Sequence, residues 1–448
     1  MLSKSRFTRG LNCKKSLWLY KHKRDEQFIS DATQAVFARG TSVGELAQTY
    51  FPGGIMAVRG ELPGYDSFEF TKQLINQGVE TIYEATFIFE DTLVAVDILH
   101  KQNGKWYLYE VKSTNSAKPE HNKDVAVQYY VASGCGIKIE HAYVMHFDRS
   151  YVIRGELDVK KLFIPTEITN EVLLLQPLVK ETIPQLLELL KGEEPDVEMG
   201  NHCKKPYHCD FYEYCAAILP DVKGDSSPMS DIPEIQHDNV ASFLSSLEYP
   251  LCHLDFETIM PGVPMFNESR PYQQVCFQYS VHYQHYPDGE IVHSAYLAPS
   301  DIHTDPREGL IQQLIRDTDG AKTILVYNQA FEQTRIKEMI RDFPQYASEL
   351  KLISEKLADL MIPFRKKDYS TESMEGRYSI KVVLPVLCPD VSYDNLEIGD
   401  GMTASNTFLD LYFIEDKELV YIKRQALLEY CHLDTLAMVK ILGVLKNS

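Results

Sequence analysis

The chain has no apolar run long enough to cross a bilayer. Its opening stretch, MLSKSRFTRGLNCKKSLWLYKHKRDEQF, is basic but lacks the continuous apolar core of a secretory signal. Both absences predict a cytoplasmic protein with no membrane partner. Positive charge is also scarce: 45 Lys and Arg face 64 Asp and Glu, for a net charge of −19. That balance excludes a broad electrostatic binder of nucleic acid. It leaves room for an enzyme that gathers carboxylates beside a local basic groove. Lys4, Arg6, Arg9, Lys14, Lys15, Lys21, Lys23 and Arg24 form one basic patch, read either as such a groove or as a solvated helix face. Nine cysteines, an odd number, are scattered along the chain, which argues against a disulfide framework. Cys135, Cys252, Cys276, Cys388 and Cys431 stand alone and read as small buried residues. Internal repeats and low-complexity tracts are missing as well.

What is present fits an α/β protein of two domains. A length of 448 residues allows more than one core. The clearest break is residues 219–240, LPDVKGDSSPMSDIPEIQHDNV, rich in Pro, Ser, Asp and Gly without apolar period, and it reads as a linker. Before it, the pattern predicts a helix over 31–50, strands over 83–100 and 105–114, a helix at KDVAVQYYVASGCG, a strand at HAYVMHF and a long amphipathic helix kinked at Pro184. After it come three strands (YPLCHLDFETIM, QVCFQYSVHYQ, IVHSAYLA), a fourth at TILVYN leading into a helix, and a long final helix.

Residues 94–114, VAVDILHKQNGKWYLYEVKST, carry the first candidate site. Asn103-Gly104 is a hairpin signal, because both residues tolerate positive φ. A two-residue turn sets Gln102 opposite Lys105 and hence Asp97 opposite Glu110. Carboxylates so opposed lie roughly 5 Å apart at Cβ and repel, unless a divalent cation sits between them. Lys112 shares the face of Glu110 and can steady an attacking water or a phosphate oxygen. On a solvated hairpin the same residues would be a surface ion pair.

Three further cysteines, Cys203, Cys209 and Cys215, recur with five residues in each gap of GNHCKKPYHCDFYEYC, and Cys13 lies far upstream. Four such thiols suit Zn²⁺ or an iron–sulfur cluster. With the acidic residue followed by E-x-K, residues 1–218 resemble the RecB-like PD-(D/E)xK nucleases with an iron–sulfur staple, the group of the CRISPR-adaptation and AddB nucleases. The resemblance implies a restriction-endonuclease-like fold, with Asp97 and Glu110 holding Mg²⁺ or Mn²⁺ and Lys112 in the catalytic set. It implies Cys13, Cys203, Cys209 and Cys215 as ligands of a structural [4Fe–4S] cluster, and Gln128 with Tyr129 or Tyr130 as residues that contact the strand or support the site. One departure is Gly44, where many members carry a histidine; the neighbouring Glu45 is then a candidate metal ligand.

In the second half, Asp255 and Glu257 alternate on one strand face, and Tyr430 and Asp434 stand at i and i+4 on the last helix. Glu332 lies just past a strand, in VYNQAFEQTRI. Four such carboxylates could hold two divalent ions about 4 Å apart for phosphodiester hydrolysis. This half resembles the DEDD exonucleases of the RNase H-like fold, through D-x-E (Asp255, Glu257), N-x-x-F-E (Asn328, Phe331, Glu332) and Y-x-x-x-D (Tyr430, Asp434). Tyr430 would orient the water, and Asn328 would touch substrate. Glu332 departs from the usual aspartate by one methylene. The segment YSIKVVLPVLCPDVSYDNL also resembles a stretch found before the third motif in relatives. The half looks, too, like an uncharacterised bacterial domain often fused to RecB-like nucleases. The joint expectation is a metal-dependent nuclease acting on DNA, single-stranded ends above all, alone or with repair or defence proteins. The alternatives are an RNA 3′–5′ exonuclease with the first half as a clamp, and a non-catalytic nucleic-acid-binding adaptor.

Overall fold

The computed structural model describes residues 1–29, 31–59, 64–205, 208–218, 232–394 and 396–448, the side chains of 31–39 and 218 excepted. The chain forms two units. The first is built on the residues up to 218, joined by Gly262–Pro264 and Arg270–Tyr272, and the second on the remainder. Both are mixed α/β. No helix among the described residues is long and apolar enough to cross a membrane.

The first unit opens with β1 (Leu2–Ser3), α1 (Lys4–Asn12) and α2 (Lys14–His22), followed by α3 (Asp31–Gln48), β2 (Ile55–Met56) and α4 (Tyr65–Asn76). Then come β3 (Thr81–Phe89), β4 (Thr92–Gln102), β5 (Lys105–Val111), the crossover helix α5 (Pro119–Gly134) and β6 (Ile139–Phe147). The unit closes with α6 (Val159–Leu162), β7 (Phe163–Glu167), α7 (Thr169–Leu189) and α8 (Tyr212–Ile218). The sheet runs β2-β3-β4-β5-β6-β7, with β1 also paired to β4. β3, β4 and β5 are antiparallel, and α5 returns the chain so that β6 lies parallel to β5.

The Asn103-Gly104 hairpin forms, both residues at positive φ (52° and 77°), with Gln102 opposite Lys105. The single strand expected over 83–100 is two strands. Glu90 and Asp91 turn between them at φ 46° and 53°, and Tyr130 Oη donates to Glu90 Oε2 at 2.8 Å. No glycine or asparagine marks that turn, so it leaves no signal in the pattern. Left-handed backbone costs an ordinary residue roughly 1–2 kcal/mol, and pairing of the flanking strands offsets it. Pro184 does not end α7, which carries Pro177 as well.

The second unit contains β8 (Glu234–Ile235), α9 (His237–Ser245), β9 (Leu251–Ile259), β10 (Val275–Gln284), β11 (Ile291–Leu297), α10 (Pro306–Asp317), β12 (Thr323–Val326) and α11 (Gln329–Asp342). It continues with α12 (Ala347–Glu355), β13 (Leu357–Asp359), α13 (Ile362–Arg365), β14 (Tyr369–Ser370), α14 (Ile380–Leu387), α15 (Gly401–Asp410) and α16 (Lys417–Lys446). The linker read over 219–240 is too long at its end: β8 pairs with β14, and α9 starts at His237. Residues 219–231 lie outside the described set. The main sheet runs β11-β10-β9-β12-β13, the first three strands antiparallel and the last two parallel to β9. α16 buries Leu427, Tyr430, Cys431, Asp434, Met438, Ile441 and Leu445, a helical stripe that sets one aspartate among apolar neighbours.

Candidate functional site

In the first unit, Asp97 and Glu110 stand one step beyond the last paired residues of the hairpin, Ile98 and Tyr109. Glu110 is 1% exposed and accepts from Lys4 Nζ at 2.8 and 3.0 Å and from Gln128 Nε2 at 2.6 Å; Lys112 Nζ lies 2.8 Å from its Oε1. Lys112 also bonds Asp124 Oδ2 at 2.6 Å. Asp97 Oδ2 accepts from Val111 N at 2.6 Å, and its Oδ1 lies 3.8 Å from Lys4 Nζ.

Burial alone would push the Glu110 carboxyl up, but Lys112 and Lys4 outweigh it and hold the group well below the carboxylate range. Asp97 has weaker support. Burial, then the charge of Glu110, pushes it up to about 7. Glu84, in β3 with φ 52°, is likewise raised by burial and feels both Lys4 and Glu110. The donor set fits a divalent cation, and the Lys4 ammonium stands in for one, bridging Asp97 and Glu110.

Of the sequence candidates, Asp97, Glu110, Lys112 and Gln128 come together. Tyr129 Oη reaches the backbone of Ile139 at 3.4 Å, and Tyr130 is spent on the Glu90 turn. Glu45 is exposed on α3, and the acidic group beside Glu110 is Glu84. Sequence reasoning missed Glu84 and Asp124, and saw Lys4 only as a member of a surface patch.

Cys13 caps α2, its Sγ accepting from Ser16 N at 3.4 Å. Cys203, Cys209 and Cys215 come back to it from the other end of the unit, and all four line one cavity as free thiols. Contacts that hold the ends together include Arg9 on Asp210 at 2.7 and 2.8 Å, Phe28 N to Asp210 O at 2.8 Å, and Asn12 Nδ2 to His202 O at 3.2 Å. Four thiols on one cavity are the donor type of Zn²⁺ or an iron–sulfur cluster, although no three of the sulfurs lie within 4.8 Å of one another.

In the second unit, Asp255 and Glu257 from β9 meet Asp434 from α16, one carboxylate oxygen of each lying within 4.8 Å of the others. Tyr393 Oη donates to Asp434 Oδ1 at 2.6 Å, and Tyr430 stands one helical turn before Asp434 on α16, its hydroxyl pushed up by burial and by the Asp434 charge. Lys381, 5.5 and 5.6 Å from the rings of Tyr393 and Tyr430, donates to Gly399 O at 2.6 Å. Among the described residues no Lys or Arg forms an ion pair with the trio. Burial and mutual repulsion push Asp255 and Glu257 well up; burial takes Asp434 to about 6 despite Tyr393, Lys381 and Tyr430. Packed carboxylates without a cationic partner must be protonated or hold a cation, so the residues fit a divalent metal.

Glu332 stands apart from the trio. It is 2% exposed, its Oε2 has no hydrogen-bond partner, and burial followed by Asp359 raises it to about 8, while its charge reaches Asp255. Asn328 is exposed, with φ 78°, and turns β12 into α11; its N–H donates to Asp359 Oδ1 at 3.0 Å. Tyr393, Lys381 and Asp359 were missed as site residues, although the first two lie in the 378–396 stretch already singled out.

A pH dependence follows from these shifts. The free protein binds protons at the trio that a metal must displace, so Mn²⁺ affinity should climb at least tenfold from pH 5.5 to 7.5, with proton release measurable by calorimetry in buffers of different ionisation enthalpy. Affinity independent of pH would mean that the ion binds elsewhere.

Residues 252–379 match a family described as a domain of unknown function, DUF2779. The chain is 25% identical over 207 residues to the uncharacterized protein MG366 homolog of Mycoplasma pneumoniae, covering 42% of this chain and 31% of that protein. It is 24% identical over 213 residues to the uncharacterized protein UU173 of Ureaplasma parvum, covering 42% and 30%. The chain thus spans about a third of the length of the curated relatives it matches.

Proposed function

We propose that the chain is a metal-dependent nuclease with a site in each unit, and that its substrate is DNA, single-stranded ends in particular. The observation that carries the reading is the trio Asp255, Glu257 and Asp434, the last two buried and Asp255 half-buried, with the Tyr393 hydroxyl on Asp434 and no ion-pairing side chain among the described residues. Strand order supports the finer fold assignments. Numbered along the second unit's main sheet, the strands run 3-2-1-4-5 with the first three antiparallel, the RNase H-like arrangement. In the first unit, three antiparallel strands, a crossover helix and a parallel strand suit the PD-(D/E)xK core.

A divalent ion bound at either carboxylate group supplies charge neutralisation at phosphate and acidifies water. The chain's own residues do the rest. Tyr393 holds the Asp434 carboxylate in place, Tyr430 stands one turn away on the same helix, and Lys381 brings positive charge to the trio. In the first unit Gln128 and Lys112 fix Glu110, while Lys112 can turn its Nζ to a phosphate oxygen. Cys13, Cys203, Cys209 and Cys215 would hold zinc or a [4Fe–4S] cluster that clasps the two ends of the unit.

The experiment is incubation of DNA and RNA single strands of one sequence with Mn²⁺. Shortening of DNA supports the reading. Shortening of RNA alone transfers it to an RNA exonuclease, and two intact strands contradict catalysis and favour an adaptor.

A further inference from the structure

A second cluster of metal-binding side chains lies in the same unit and has no part in the proposed hydrolysis. His282 on β10, His293 on β11 and His432 on α16 bring one ring nitrogen each within 4.8 Å of the others. Their ring centroids are 4.3 to 4.9 Å apart. The sheet register builds this cluster: His253, His282 and His293 are direct cross-strand partners on β9, β10 and β11, so their side chains share one face. α16 supplies His432 to that face.

Three features distinguish the group from a chance gathering of imidazoles. Hydroxyls orient the rings: Thr435 Oγ1 lies 2.8 Å from His282 Nδ1 and 2.7 Å from Ser280 Oγ, which lies 3.0 Å from His293 Nε2. Such bonds on one ring nitrogen set the tautomer and aim the other, as outer partners do around bound metals. Next, no carboxylate pairs with any of the three among the described residues, so nothing offsets their charge if they protonate. Finally, His282 is buried while His293 is exposed, so the cluster opens to solvent on one side. His253, directly opposite His282, is 1% exposed with Nδ1 lacking a partner, a further nitrogen on the same face.

We propose that His282, His293 and His432 bind a divalent transition-metal ion, zinc by ligand type, with a water in the fourth position. The imidazole donor set selects against Mg²⁺ and Mn²⁺, which the carboxylate trio suits. Zinc there pins α16 to β10 and β11, and α16 also carries Asp434 and Tyr430. The assignment stands whether or not the chain is a nuclease.

The test is zinc titration of the full chain by calorimetry, with X-ray absorption at the zinc edge, for the wild type and His293→Gln/His432→Gln. The wild type should bind one equivalent more than the double variant, with a nitrogen and oxygen shell distinct from any sulfur-bound zinc at the cysteines. Zinc should raise the Tm of the wild type above that of the variant. Thr435→Val should weaken the equivalent about tenfold, the lower range for loss of an outer partner. If the double variant misfolds, His293→Gln on the exposed edge strand must by itself weaken zinc at least tenfold. Equal stoichiometry and affinity in variant and wild type, or zinc held by sulfur alone, overturns the proposal.

Discussion

Asp255→Asn should cut hydrolysis at the second site by at least ~1,000-fold and, in metal-free buffer near pH 8, make the protein more stable. The first effect amounts to about 4 kcal/mol of transition-state stabilisation, lost with a metal ligand. The second follows from the trio. Asp255, half-buried, and the buried Glu257 and Asp434 repel one another, and an amide removes one charge while keeping the shape. Each pKa unit of repulsion removed is worth about 1.4 kcal/mol, and each kcal/mol raises Tm by roughly 2–4 °C in domains of this size. The sign with pH is definite. An acid whose folded pKa is raised binds more protons folded than unfolded, so metal-free wild type loses stability as pH rises from about 4 towards 8. The advantage of Asp255→Asn should therefore be small at pH 4 and largest at pH 8, and saturating Mn²⁺ should reverse it. Thermal melts at the two pH values check this; a variant less stable at both would show that the trio is compensated by contacts other than metal.

Glu110→Ala should act in the opposite sense on stability. Glu110 is buried, charged and bonded to Lys4, Lys112 and Gln128. Removing one partner of a buried pair costs about 3–5 kcal/mol, because the other charge is left without compensation. Lys4 and Lys112 are about a quarter exposed and Lys112 keeps Asp124, so the lower end of that range is expected. Lys4→Met, which removes the bridging ammonium, should raise Mn²⁺ affinity at Asp97 and Glu110 relative to wild type. Urea unfolding and Mn²⁺ titration test the two statements. A stability change under 1 kcal/mol for Glu110→Ala would place the cluster in the surface-pair regime.

How much of these sites could be read from the chain depended on sequence distance. Asp97 against Glu110 follows from one local rule, the two-residue Asn-Gly turn, and Tyr430 with Asp434 follows from helical period. Asp255 and Glu257 follow from strand alternation. The groups that complete each site arrive through tertiary packing and carry no local signal. Lys4 reaches Glu110 across 106 residues and Tyr393 reaches Asp434 across 41. Glu84 enters the first site through a left-handed residue in β3, which no propensity scale anticipates in a strand. The histidine row escaped for a related reason: register links His253, His282 and His293, and that becomes visible only once β9, β10 and β11 are paired. Tyr129, Tyr130 and Asn328 match a motif and also contact backbone, a turn and a helix entry, which the motif does not encode.

The most direct measurement is degradation of single-stranded DNA labelled separately at its 5′ and 3′ ends, with Mn²⁺, by wild type, Glu110→Ala and Asp255→Asn. Two working sites predict a wild-type ladder from which each substitution removes a different set of products, with the 3′-end products lost in Asp255→Asn. A wild-type ladder that survives both substitutions, or no degradation of labelled DNA at all, would contradict the account.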